Sequence, residues 1–181
     1  ETPLVSKPIV WWPHAVLSSP TRPVTAFGEA LAPLLADMRE SLAVEKGVGI
    51  AANQIGVGLR VAIVAPEETA AFVVANPEWL EKSGQVTYDE GCLSVPFEWE
   101  NVKRHERVRV RFQDETGAVK ELAADGRLAH ILQHEIDHLD GRVYVDLLSP
   151  LKKSLIRQRM MKRQKERERE AKRPKPDGDA K

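Results

Sequence analysis

The 181 residues contain a single cysteine, Cys92, so no internal disulfide can form and a reducing compartment is the natural expectation. No apolar run approaches the roughly eighteen residues that a membrane span needs. The N-terminus also lacks the charged-then-apolar pattern of a secretory signal. Glycine and proline are modest in number, 11 and 12, which excludes collagen-like and low-complexity chains. With 42% apolar residues the chain has enough to bury a real core, and one compact domain plus a tail is expected. A soluble, cytoplasmic protein is the expectation, with neither membrane nor DNA expected as a partner.

Net charge is lacking too, at zero, but the balance hides an asymmetry. Between Lys152 and Lys175 twelve lysines and arginines face only Glu166, Glu168 and Glu170. The remainder must be correspondingly acidic, so an acidic body carries a basic C-terminal segment.

Periodicity predicts three helices. From Thr25 to about Lys46 the residues Leu31, Leu34, Leu35, Met38 and Leu42 recur at helical spacing, with Gly47 as the stop. A second helix fits Leu128 to Leu139, entered through Asp125 as N-cap and left at Gly141. A third runs from near Pro150 to about Ala171, with few apolar anchors and a frayed end. Short strands are expected over Leu59–Ala65, Ala71–Ala75, Gln85–Tyr88, Arg107–Phe112 and Val119–Leu122, with Asn76-Pro77 as a turn. Val108-Arg109-Val110-Arg111-Phe112 alternates apolar and charged residues, as a half-buried antiparallel strand does. The class is α+β: short, mostly antiparallel strands packed around a central helix, with an N-terminal and a basic C-terminal helix. No internal repeat is visible.

The central helix carries His134-Glu135-Ile136-Asp137-His138, an H-E-x-x-H motif. Histidines at i and i+4 share one helix face and can bind one metal ion, while the glutamate between them serves as acid/base. A catalytic site needs a third ligand. His130 is excluded, because the eight residues to His138 rise roughly 12 Å along the helix. The metzincin continuation fails at Tyr144, where a third histidine belongs. Asp146 remains a candidate. Cys92, in Asp89-Glu90-Gly91-Cys92-Leu93-Ser94, is the soft ligand of the chain. One thiolate with two imidazoles leaves a fourth position open, as in catalytic rather than structural sites. Such a donor set suits Zn(2+), Fe(2+), Co(2+) and Ni(2+).

Three stretches together resemble the peptide deformylase family: Gly47-Val48-Gly49-Ile50-Ala51-Ala52-Asn53-Gln54, Glu90-Gly91-Cys92-Leu93-Ser94, and Gln133-His134-Glu135-Ile136-Asp137-His138. The resemblance implies that residues 1–149 form the catalytic domain, leaving 150–181 as a basic helix and tail. It implies a metal-dependent hydrolase that removes the N-formyl group from the N-terminal methionine of nascent polypeptides and releases formate. It implies Cys92, His134 and His138 as ligands of Fe(2+), with Zn(2+) often in its place, and Glu135 as acid/base. Gln54, through its side-chain amide, and Leu93, through its backbone N–H, would support the formyl oxygen. The peptide would pair along Val48 and Gly49, with the methionine side chain among Val48, Tyr88, His130 and Ile131 and with Glu90 nearby. His130 and Tyr88 depart from the family pattern, which favours aliphatic residues or Arg there. The basic helix would dock near the ribosomal tunnel exit. The rival readings are an H-E-x-x-H zinc endopeptidase and a ribosome-binding module with a structural metal.

Overall fold

The computed structural model describes residues 6–174; Lys175, counted above in the basic segment, lies outside them. Strands β1 (Gly49–Ala51), β2 (Val61–Val64), β3 (Phe72–Ser83), β6 (Arg107–Gln113) and β7 (Val119–Asp125) form one sheet in the order β1-β2-β3-β6-β7. Strands β4 (Val86–Cys92) and β5 (Val95–Arg104) form a separate hairpin. Every strand pairing is antiparallel, so the α+β expectation holds.

The helices α1 (Ala32–Glu45) and α2 (Gly126–Leu139) draw on alternate residues of the sheet. Leu35, Met38 and Leu42 of α1 pack with Ile50, Val61, Ile63 and Val73. Ala129, Ile131, Leu132 and Ile136 of α2 pack with Val64, Val74, Val108, Val110 and Phe112. Since successive strand residues point to opposite faces, β2 is buried along its whole length. In β6 the predicted alternation appears as Val108, Val110 and Phe112 inside and three arginines outside. The central position of α2 follows: a 14-residue segment with nine buried side chains must be covered by other elements.

Helix α3 (Pro150–Ala171) begins where the sequence places it, with the Ser149 side chain accepting from the Lys152 N–H. Its few apolar residues matter. Ile156 and Met160 are buried in a third cluster with Trp12, Leu17, Val95, Val102 and Tyr144.

Several local expectations are corrected. The first helix starts at Ala32, not near Thr25, because Gly28 sits at φ 64° and the segment Gly28–Ala30 winds as a separate 3-10 turn. It ends in a left-handed Lys46, φ 53°, so Gly47 is not the cap. Gly47 is instead squeezed, since a Cβ there would lie 3.0 Å from Leu42 and 3.1 Å from Leu93. Asn76-Pro77 does not end a strand: β3 runs through it by a register shift, with Asn76 at φ 49° and its side chain bonded to both N–H and C=O of Val24. Asp125 occupies the N-cap position but makes no side-chain capping bond. Strand β5 had no sequence signal, because Pro96, Glu98 and Glu100 mask its pairing with β4.

Candidate active site

Cys92 closes β4 at the hairpin turn, and His134 and His138 lie one turn apart on α2. Their donor atoms all fall within 4.8 Å of one another. The Cys92 Sγ is 3.3 Å from His138 Nε2, which is 3.3 Å from His134 Nε2. Two imidazole nitrogens aimed at each other and at a sulfur cannot all be satisfied by protons. Burial pushes the His138 pKa well below its ordinary value, with the neighbouring His134 adding to the shift. For His134 burial acts the same way, but the facing Cys92 sulfur and the Glu90 carboxylate outweigh it and drive the pKa up. A divalent cation between the three donors relieves this conflict, and a soft sulfur with two imidazoles is a donor set made for one. Asp146 is no rival ligand: it pairs with Lys153 and accepts from the Val143 N–H. Tyr144, at the metzincin position, is buried with its hydroxyl donating to the Glu98 carbonyl. The family pattern described as polypeptide deformylase matches residues 6–154.

The chain belongs to the peptide deformylase family. It is 41% identical to the peptide deformylase of Wolinella succinogenes over 165 residues, covering 87% of this chain and 97% of that one. It is 42% identical to that of Neisseria meningitidis serogroup C over 159 residues, covering 87% and 95%. Among solved structures, a peptide deformylase from Legionella pneumophila superposes with a TM-score of 0.85 at 37% identity, over 94% of this chain and all of that one. The Ehrlichia chaffeensis enzyme in complex with actinonin gives 0.84 at 32% identity, over 88% and 98%.

Around the deformylase donor set runs a buried polar network. Glu90, 2% exposed, takes two bonds from Arg104, 3.0 Å from Nε and 2.7 Å from the terminal nitrogen. It also lies 2.6 Å from His130 Nε2 and 2.8 Å from His134 Nδ1. Burial alone would raise its pKa, but these four donors overcome burial and hold the carboxyl far below the usual range. The bond to His134 Nδ1 directs the other ring nitrogen at Cys92 and His138, as carboxylate–histidine pairs do in metal sites. Arg104 continues to Asp137 at 2.5 Å. On the other side Asn53 Nδ2 donates to the His138 carbonyl at 2.6 Å.

A cavity of about 480 Å³ opens beside these groups, lined in part by Val48, Gly49, Gln54, Glu90, Leu93, His130, Ile131 and Glu135. Tyr88, expected in that wall, is not part of it. It stacks on His130 with ring centroids 4.1 Å apart, and its hydroxyl donates to the Gly126 carbonyl at 3.2 Å. Burial raises the Glu135 carboxyl to about 7, and the charge of Glu90 adds to the effect. Its Oε2 has no hydrogen-bond partner, and its Oε1 would lie 2.7 Å from a Cβ on Gly49. Gln54 accepts from the Ala51 N–H at 2.9 Å, which fixes the amide. Its Nε2 then faces Ser94 Oγ at 3.2 Å and Cys92 Sγ at 3.8 Å. Strand β1, with Gly49, lies at the sheet edge. Sequence reasoning gave no role to Ser94, Asn53 and the rim residues Phe97, Trp99 and Arg127; only Ser94 and Asn53, each inside a quoted motif, carried any signal.

Proposed function

We propose that this protein hydrolyses the N-formyl group of the N-terminal methionine of nascent polypeptides, releasing formate and a free amine. The carrying observation is Glu135: a buried carboxyl with a pKa near 7 and an unpartnered oxygen, set against three converging metal donors. A group poised near the working pH both accepts and returns a proton efficiently. In this reading Cys92, His134 and His138 hold the metal, Fe(2+) by family resemblance, with Zn(2+), Ni(2+) or Co(2+) able to occupy the same donors. When bound, the divalent ion supplies a Lewis acid and lowers the pKa of water toward neutrality.

Glu135 takes the proton from the attacking water and delivers it to the leaving nitrogen. The Gln54 amide and the Leu93 N–H donate to the formyl oxygen as negative charge develops there. The substrate backbone adds to the open edge of β1 along Val48 and Gly49. The narrow space left by Gly49 against Glu135 admits a formyl hydrogen where a larger acyl group would collide. The methionine side chain lies against Val48 and Ile131, with His130 and Glu90 forming the polar wall.

Endopeptidase chemistry is disfavoured by the buried Tyr144, which supplies no third zinc ligand. Among the described residues no helix is long and apolar enough to cross a membrane. Action on nascent chains places the enzyme in the cytoplasm beside ribosomes. The exposed cations Lys162, Lys165, Arg169, Lys172 and Arg173 would hold it near the tunnel exit, so that 150–181 serves as docking element and 1–149 as catalytic domain.

The test is formate release from formyl-Met-Ala-Ser by anaerobically prepared, iron-loaded protein. Glu135→Ala should lower kcat by at least about 10²-fold with metal content unchanged. Equal rates in the two proteins would remove Glu135 from the mechanism.

A further inference from the structure

Two large aromatic side chains on the cavity rim stand in solvent. Phe97 is 81% exposed and Trp99 66%, and both line the cavity that contains Cys92 and Glu135. Aromatic groups of this size, left uncovered at the mouth of a concave site, are suited to a ligand that crosses it. The Trp99 ring closely covers the backbone beside Cys92: a Cβ at Gly91 would lie 2.9 Å from three atoms of the indole. Phe97 has φ 67°, a left-handed conformation that bulky residues rarely adopt and that persists only where neighbours enforce it.

The C-terminal helix supplies that enforcement. Between Phe97 and Trp99 sits Glu98, only 7% exposed. Its Oε1 accepts from Arg159 at 3.0 Å and 2.6 Å, and its Oε2 accepts from Arg163 at 2.5 Å. Arg163 also donates to the Pro96 carbonyl at 3.2 Å and lies 5.6 Å from the Phe97 ring centroid. Tyr144 fixes the Glu98 carbonyl from below the helix. Adjacent residues of a strand point to opposite faces, so gripping Glu98 toward α3 presents its two neighbours to the cavity rim. Residues 155–171 of α3 lie beyond the stretch matched by the family pattern, which ends at 154.

We propose that Phe97 and Trp99 form an aromatic lip that receives the residues following the formylated methionine, and that α3 fixes this lip through Glu98. The inference rests on the deformylase reading. With the formyl group at the metal donors and the first side chain inside the cavity, the rest of the peptide leaves through the mouth that these rings flank. Aromatic faces hold apolar side chains and peptide planes with little dependence on sequence, which suits an enzyme acting on many different chains. Arg159 and Arg163 are positioning residues in this scheme.

The experiment compares KM and kcat for formyl-methioninamide and formyl-Met-Leu-Phe with full-length, metal-loaded protein. Phe97→Ala/Trp99→Ala should raise KM for the tripeptide about tenfold more than KM for the amide, the loss of one good aromatic contact. Arg159→Ala/Arg163→Ala should show the same split at about threefold, and Arg159→Lys/Arg163→Lys should largely restore it. Circular dichroism checks that each variant is folded. Equal KM changes for the two substrates in the lip variant would overturn the lip. A split in the lip variant without one in the helix variant would overturn the role of α3. If wild-type protein releases no formate from either substrate, the deformylase reading fails instead. Calorimetric binding of Met-Leu-Phe against methioninamide then still decides whether the lip binds peptide.

Discussion

Replacing Arg104 by methionine removes the buried cation that serves the buried Glu90 and the half-buried Asp137. The guanidinium is 6% exposed as a residue, and bonds Glu90 through two nitrogens and Asp137 through a third. Methionine fills most of the same volume, so cavity formation is a minor term and the dominant cost is uncompensated charge. Breaking a buried ion pair by deleting one partner costs about 3–5 kcal/mol. For a chain of this size each kcal/mol lowers Tm by about 2–4 °C, so Arg104→Met should melt roughly 6–20 °C below wild type. The assay is thermal unfolding by circular dichroism at pH 7 and fixed metal concentration, since metal binding itself shifts Tm. The double variant Glu90→Gln/Arg104→Met no longer buries the glutamate charge, and should recover a substantial part of the loss. A Tm drop below about 2 °C, or a double variant no more stable than Arg104→Met, would refute the reasoning that this network is held together by charge compensation.

Gly49→Ala puts a methyl group 2.7 Å from Glu135 Oε1, and that carboxylate has to move. A displacement of about 1 Å in a reacting group costs on the order of 10²-fold in rate, so kcat for formate release should collapse while circular dichroism stays native. The Glu98 carboxyl is held below its ordinary 4.5: burial pushes upward, and the hydrogen bonds and charges of Arg159 and Arg163 outweigh it. A lowered folded pKa means stability that is present above about pH 4.5 and lost as pH falls through the folded value. The Tm gap between wild type and Glu98→Gln should therefore be full at pH 7 and shrink in acid; a gap independent of pH would contradict the ion-pair account. Finally, Lys162→Gln/Lys165→Gln/Arg169→Gln should weaken co-sedimentation with ribosomes and flatten its dependence on salt, while leaving formyl-Met-Ala-Ser turnover at the wild-type rate.

The chemistry of the site was legible because it is written locally. A helix fixes the relation of His134 to His138 by its pitch, and Glu135 between them inherits its position. That Cys92 completes the set was readable from its being the chain's one cysteine and from its Glu-Gly-Cys-Leu-Ser context. The same holds for β6, whose alternation states which face is wet, and for α3, whose start Ser149-Pro150 announces. Tertiary structure decided what depends on distant partners. Strand β3 crosses Asn76-Pro77 because Val24 and Gln113 satisfy the Asn76 side chain, and no local rule anticipates that. Strand β5 exists because β4 and α3 accept its charged residues. His130 bonds Glu90 while Tyr88 stacks on its ring and reaches the Gly126 carbonyl, partners that only the packing of β4 against α2 supplies. Spacing along the chain fixed which groups could meet one ion, since helical geometry is intrinsic to the backbone. Which carboxylate orients them, which glycine crowds the acid/base and what the basic helix grips were set only when distant segments competed for the same buried space.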